Sequence, residues 1–150
     1  MVAMISGCGE PSPTPKNGSA ATAKTRSVPN VFPVTVSRTG GIAGFQDVLR
    51  VAGDGVVSLA RKGKPQTRCQ LTPATFQRLT SAAARLPWSR ITAANTQPSF
   101  PDDMVTTMQS PAGGPVRVQD PLAGRTGEVF AELLSSLTNG PSSRRLCAPR

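Results

Sequence analysis

Residues 34–45 read Val-Thr-Val-Ser-Arg-Thr-Gly-Gly-Ile-Ala-Gly-Phe, an alternating segment that runs into a glycine-rich loop. In its first part, apolar Val34 and Val36 alternate with polar Thr35 and Ser37. Strict alternation over such a run is typical of a strand with one buried and one exposed face. The segment therefore predicts a strand that leads into a short loop, with the rest of the sheet built around it.

The loop combines three glycines with one large apolar residue. Gly40, Gly41 and Gly44 permit positive φ angles and close approach of the backbone to another surface. Ile42 lies between them, where a polar residue is usual. Two interpretations are open: a hairpin connection whose isoleucine folds back onto the core, or a narrow, apolar-tipped loop that enters a cleft. Residue chemistry alone favours the first.

The remaining pattern predicts one α+β domain with a small antiparallel sheet, a meander plus a hairpin, packed by two helices. The Asp54-Gly55 pair is a preferred hairpin turn between two of its strands. The irregular segment Trp88–Asp103 is long enough for a functional loop. The predicted strands are Val31–Ser37, Phe45–Val51, Val56–Ala60, Gln66–Gln70, Met104–Gln109 and Pro115–Gln119.

Both predicted helices show an apolar face at helical spacing, which indicates core packing rather than a functional site. The first begins with Thr72 as N-cap and Pro73 at the first helical position, and it ends at Pro87. The second covers about Gly127–Leu137. The predicted core residues are Phe76, Leu79, Ala83 and Leu86 in the first helix and Val129, Phe130, Leu133, Leu134 and Leu137 in the second.

Charge and composition narrow the function. The chain has 17 Lys and Arg against 8 Asp and Glu, so its net charge of +9 attracts anionic partners. Nucleic acid is disfavoured, because the basic residues are scattered and no aromatic platform or reader helix is visible. Histidine is absent, which excludes His-assisted nucleophiles and imidazole zinc sites. Only Asp102 and Asp103 are adjacent acids, so we expect no enzyme, no cofactor and no metal.

The N-terminal residues 1–8 end in Ile-Ser-Gly-Cys, which resembles the lipobox of bacterial lipoproteins, with Cys8 as the lipidated residue. The apolar run is shorter than a signal needs and lacks a basic n-region, which a start codon further upstream would supply. The alternative is an ordinary disordered start with a stray cysteine. Lipidation would place the protein outside the cytoplasm on the cell membrane, and without it we expect a secreted protein.

Residues 9–30 are rich in proline, serine, threonine, glycine and alanine. Such a composition cannot bury enough apolar surface to fold, so we predict a disordered tether. The predicted folded domain covers residues 31–150.

The chain has three cysteines. If Cys8 carries lipid, Cys69 and Cys147 are left as a pair, and outside the cytoplasm such a pair is normally a disulfide. The alternative is two buried free thiols.

With this order of elements, the chain resembles the emfourin family of proteinaceous inhibitors of thermolysin-like metallopeptidases. The family has a strand that ends in an Arg/Ser-Gly-Gly-aliphatic-Ala-Gly pattern, and residues 36–44 read Val-Ser-Arg-Thr-Gly-Gly-Ile-Ala-Gly. Leu71-Thr72-Pro73 with Leu79, and Asp120-Pro121-Leu122 before a leucine-rich helix, add to the resemblance, which covers about Val34 to Leu137.

The resemblance implies an α+β inhibitor that blocks the active-site cleft of a secreted zinc metallopeptidase without being a catalyst. The residues it makes candidates for binding this partner are Arg38, Thr39, Gly40, Gly41, Ile42, Ala43 and Gly44, with Ile42 as the anchor. The lipobox, the tether and the cysteine pair depart from the compact bacterial inhibitors of the family. The alternative function is a lipid-anchored envelope module that binds an anionic or protein partner and inhibits nothing.

Overall fold

The computed structural model describes residues 30–91, 100, 102–139 and 143–149. The strands are β1 (Val34–Gly40), β2 (Phe45–Val51), β3 (Val56–Arg61), β4 (Lys64–Leu71), β5 (Met104–Ser110), β6 (Gly113–Arg117) and β7 (Cys147–Pro149). The helices are α1 (Pro73–Ala83), α2 (Gly124–Thr138) and the short α3 (Ser143–Leu146), with a 3-10 turn at Trp88–Arg90. The strands form one antiparallel sheet in the order β6-β5-β1-β2-β3-β4-β7, which confirms the predicted α+β class.

The strand β1 lies inside the sheet, between β2 and β5. Val34 and Val36 are completely buried, as the alternation predicts. The predicted bounds of this strand were wrong at both ends. Pairing starts after Pro33, which has no N–H to donate to a neighbouring strand, and it continues to Gly40 because both neighbours pair with that residue.

The helices α1 and α2 cover one face of the sheet. Leu79 and Phe130 are both fully buried and belong to the same apolar cluster as the inward residues of β1, β2 and β3. The hydroxyl of Thr126 donates a buried hydrogen bond of 2.8 Å to the carbonyl of Ala82, which ties the two helices together. No described helix is long and apolar enough to cross a membrane.

The predicted start of α1 is confirmed, because Thr72 caps the helix and accepts a hydrogen bond from the Thr75 amide at 3.3 Å. The predicted end was wrong, since α1 stops at Ala83 instead of Pro87. An α-helical bond to the Ala83 carbonyl would have to come from Pro87, which has no N–H. The indole N–H of Trp88 donates to that carbonyl instead, at 2.9 Å.

The second helix begins one turn earlier than predicted. A turn at Asp120 organises the approach, because the carboxylate of Asp120 accepts from the Leu122 amide at 2.8 Å and its carbonyl accepts from Ala123 at 2.9 Å and Gly124 at 3.2 Å. The turn therefore feeds directly into α2 at Gly124. The predicted lipobox and tether lie outside the described residues, apart from Asn30 at the end of the tether.

Candidate functional site

The glycine loop, residues 41–44, joins β1 to β2 at one end of the sheet. Gly40 pairs with Phe45 and closes the hairpin. The Gly44 amide donates to the Gly41 carbonyl at 2.9 Å, so the loop is a closed turn. Gly40, Gly41 and Gly44 have φ values of 84°, 72° and 59°, in the left-handed region that side chains disfavour. The three glycines are therefore required by the shape of the loop.

The side chain of Ile42 points away from the protein and is 95% exposed. The interpretation in which this isoleucine folds back onto the core is therefore wrong. A branched apolar side chain held in water has no stabilising contact inside the chain, and its burial against a partner would release roughly 1.5–3 kcal/mol.

A second turn braces the glycine loop. The Gly41 amide donates to the carbonyl of Asp103 at 3.1 Å. The turn that carries this carbonyl is itself closed, since the Asp103 amide donates to the Phe100 carbonyl at 3.1 Å and the Phe100 amide donates to the Asp103 carboxylate at 3.0 Å. A Cβ at Gly40 would overlap the Asp103 carbonyl, so the brace packs against glycine backbone. A loop that is held in this way has little conformational freedom left to lose on contact with a partner.

Three further exposed apolar side chains lie at the same end of the sheet, beside the backbone of the glycine loop. Phe45 and Met104 both pair with Gly40 across the two ladders, so they lie on either side of it on the same face of the sheet. Phe45 and Met104 are 37% and 48% exposed, and Phe100, in the bracing turn, is 66% exposed. We call Ile42, Phe45, Phe100 and Met104 the apolar tip. Exposed apolar patches of this kind mark sites of protein contact.

Below the tip, Arg38 forms the base of the hairpin. Its guanidinium bonds to the buried carboxylate of Asp47, with Nε 2.8 Å from Oδ2 and Nη2 in contact with the same oxygen. Its Cζ lies 4.6 Å from the centroid of the Phe45 ring, a cation–π contact. Arg61 also ends at this level, where it donates to the carbonyl of Thr138 at 3.1 Å, at the C-terminus of α2. Arg38 therefore links the two strands of the hairpin below the loop, and its Nη2 also lies 3.5 Å from the Thr138 hydroxyl in α2.

The predicted partner-binding residues thus lie in different settings. Ile42 and Ala43 are exposed at the end of the loop, and the glycines shape it. Arg38 is engaged below it, while Thr39 is exposed on the opposite face of the sheet from Arg38. Sequence reasoning named Trp88–Asp103, which includes Phe100, only as a segment long enough for a functional loop, and it missed Met104. The available signal was a pair of large apolar residues, Phe100 and Met104, on either side of Asp102 and Asp103.

The predicted disulfide is present between Cys69 and Cys147, whose Cα atoms are 5.4 Å apart. It joins β4 to the short strand β7, which also pairs with β4 through Leu71 and Cys147. The bridge is far along the sheet from the glycine loop, since β7 forms the edge beyond β4. Cys8, the predicted lipidation site, lies outside the described residues.

Within the described ranges, no group of three or more metal-binding side chains comes together. A groove of about 380 Å³ opens beside the bracing turn, lined by Asp103, Met104, Val105, Arg117, Gln119 and Asp120. Two of these residues also belong to the site, since Asp103 is in the bracing turn and Met104 is in the apolar tip. Comparison with known proteins gives no match to a family model, a curated protein or a solved structure.

Proposed function

We propose that this protein inhibits a secreted thermolysin-like zinc metallopeptidase by inserting the glycine loop into the active-site cleft. The observation that carries the proposal is Ile42, which a stiff, braced hairpin holds at 95% exposure. The resemblance of residues 36–44 to the emfourin pattern supplies the class of target. The protein acts by binding and takes no chemical step.

The geometry meets three demands on such a loop. It must be narrow, and four residues with glycine at both ends present little besides backbone and Ile42. It must be stiff, and hydrogen bonds within the loop and to Asp103 supply this. It must offer an anchor, and an aliphatic side chain suits the pocket for aliphatic residues that thermolysin-like enzymes share. Phe100 and Met104 would then contact the rim of the cleft, where they exclude water from the anchor.

The same proposal places the protein outside the cytoplasm, held at the membrane by lipid on Cys8. The Cys69–Cys147 disulfide supports an oxidising compartment, in which such bridges persist. A lipid anchor on a long tether would keep the inhibitor at the cell surface, where a secreted peptidase would otherwise attack envelope proteins.

An inhibition assay tests the proposal. The full chain carrying Cys8→Ser, which removes the lipidation site, is titrated against thermolysin with a fluorogenic peptide substrate, and in parallel against the serine peptidase subtilisin. We expect saturable inhibition of the metallopeptidase alone, with the glycine loop uncut after prolonged incubation. Unchanged thermolysin activity at micromolar protein, or steady digestion of the loop, would sink the proposal.

A further inference from the structure

The face of the sheet opposite α1 and α2 carries no described helix, and the charged side chains that the described strands place on it are all arginines. Three arginines point out from this face: Arg50 in β2, Arg68 in β4 and Arg117 in β6. The described strands contain a single acidic residue, Asp47, which lies on the helix-covered face in contact with Arg38. A sheet face exposed to water is ordinary for an antiparallel sheet, but such faces usually mix both signs of charge.

The strand register arranges these arginines in a band across the sheet. Arg50 stands opposite Ser58, and Ser58 stands opposite Arg68, so the two arginines flank one serine about 10 Å apart. Arg117 lies on the same face near the β6 edge of the sheet, where it pairs with Thr107. Along the strand direction it is one row of residues away from Arg50. The band therefore runs across the strands from β6 to β4, and a rod-like ligand would lie at right angles to them.

Arg50 and Arg68 are exposed, and within the described part of the chain neither has a hydrogen bond or an ion pair. A guanidinium presents a planar fork of donors that matches phosphate oxygens in pairs. Hydroxyl and amide groups lie between the arginines, on Thr35, Ser37, Ser58, Thr107 and Gln109, together with the exposed apolar Val48. Such groups hydrogen-bond to the hydroxyls of a polyol.

The same face of the described strands has no aromatic residue. Proteins that bind single-stranded nucleic acid stack its bases on aromatic side chains, so a face without them favours a phosphate polymer that has no bases. We propose that this face binds a polyol phosphate, a linear phosphodiester polymer of the kind that envelopes contain. This surface is separate from the apolar tip and does not depend on inhibition.

Binding of purified poly(glycerol phosphate) to the full chain carrying Cys8→Ser tests the proposal by calorimetry at two salt concentrations. We expect binding that weakens as salt rises, and a loss of about tenfold or more when Arg50→Glu and Arg68→Glu are combined, since charge-assisted hydrogen bonds to phosphate are lost. Arg85→Glu with Arg125→Glu is the matched control. Both residues are exposed and line a groove on the helix side, so the same change in net charge there should leave the affinity within about threefold.

Three results would overturn the proposal. The first is that the chain carrying only Cys8→Ser does not bind poly(glycerol phosphate). The second is an equal loss in the helix-side control, which would show a response to net charge only. The third is equal or tighter binding of oligothymidylate or polyglutamate, which would assign the face to nucleic acid or to an acidic protein. Circular dichroism of each variant confirms that the fold is retained.

Discussion

Truncation of Ile42 is the most direct perturbation of the glycine loop. In the free protein this side chain is 95% exposed, so Ile42→Ala removes almost no internal contact and should change the free energy of unfolding by less than about 0.5 kcal/mol. In the complex, the substitution removes three carbon groups from a buried pocket, at about 0.8 kcal/mol each. The expected loss of about 2.4 kcal/mol corresponds to a roughly 60-fold weaker inhibition constant.

Ile42→Asp should weaken inhibition by more than the roughly 60-fold expected for alanine, because it also forces a carboxylate to shed water in an apolar pocket. Inhibition constants are measured against thermolysin, and unfolding midpoints by chemical denaturation. Val48 provides the matched control, since it is an exposed apolar residue of the same hairpin whose side chain lies on the opposite sheet face from Phe45. Val48→Ala and Val48→Asp should leave the inhibition constant within about twofold.

The reasoning is refuted if both Ile42 variants remain folded and inhibit as strongly as the unmodified chain. The glycine loop would then be a hairpin connection and nothing more. Loss of inhibition in the Val48 variants as well would show that the assay reports a general property of the fold instead of the loop.

Three further changes test the support of the site and its cellular setting. Gly40→Ala should lower the free energy of unfolding, measured in denaturant, by more than Gly63→Ala. Both glycines have positive φ, which costs alanine about 1–2 kcal/mol, but only at Gly40 would the added Cβ meet neighbouring backbone. Equal losses would mean that the contact with the bracing turn does not stabilise the protein. Combining Cys69→Ser with Cys147→Ser, whose positions are 78 residues apart, should remove up to about 4.5 kcal/mol of unfolding free energy, and an unchanged denaturation midpoint would contradict a structural bridge. With a basic n-region and a longer apolar run added ahead of Met1, the protein should fractionate with membranes and Cys8→Ser should release it, whereas soluble behaviour of both forms would end the lipoprotein hypothesis.

The sequence predicted those elements whose pattern is local. The bounds of β2 were correct because turn-forming residues flank it, with Gly44 just before Phe45 and the Asp54-Gly55 turn soon after Val51. The start of α1 was correct because Thr72 and Pro73 are strong helix signals. The strand β7 was missed, since three residues with a proline give no pattern and its pairing depends on the distant strand β4. Only the predicted disulfide between Cys69 and Cys147 indicated that this segment lies beside β4.

The orientation of Ile42 could not be read from its neighbours in the chain. Residue chemistry favours burial of an isoleucine, and the alternation that leads into the loop stops at the glycines. The direction of the loop depends on positive φ angles and on the carbonyl of Asp103, which a segment far along the chain supplies. The base of the site was equally hidden, because the pairing of Arg38 with Asp47 appears only once the register of the hairpin is known.

Because the Gly41 amide donates a hydrogen bond to Asp103, amide hydrogen exchange can measure how often the glycine loop leaves its braced position. This proton is shielded only while the bracing turn stays docked, so its exchange rate reports the fraction of time the loop is open, independently of global unfolding. A peptidase cleaves a docked loop slowly and an undocked loop readily. If the protein inhibits as proposed, the opening equilibrium of this single amide therefore decides how long it survives as an inhibitor before it becomes a substrate.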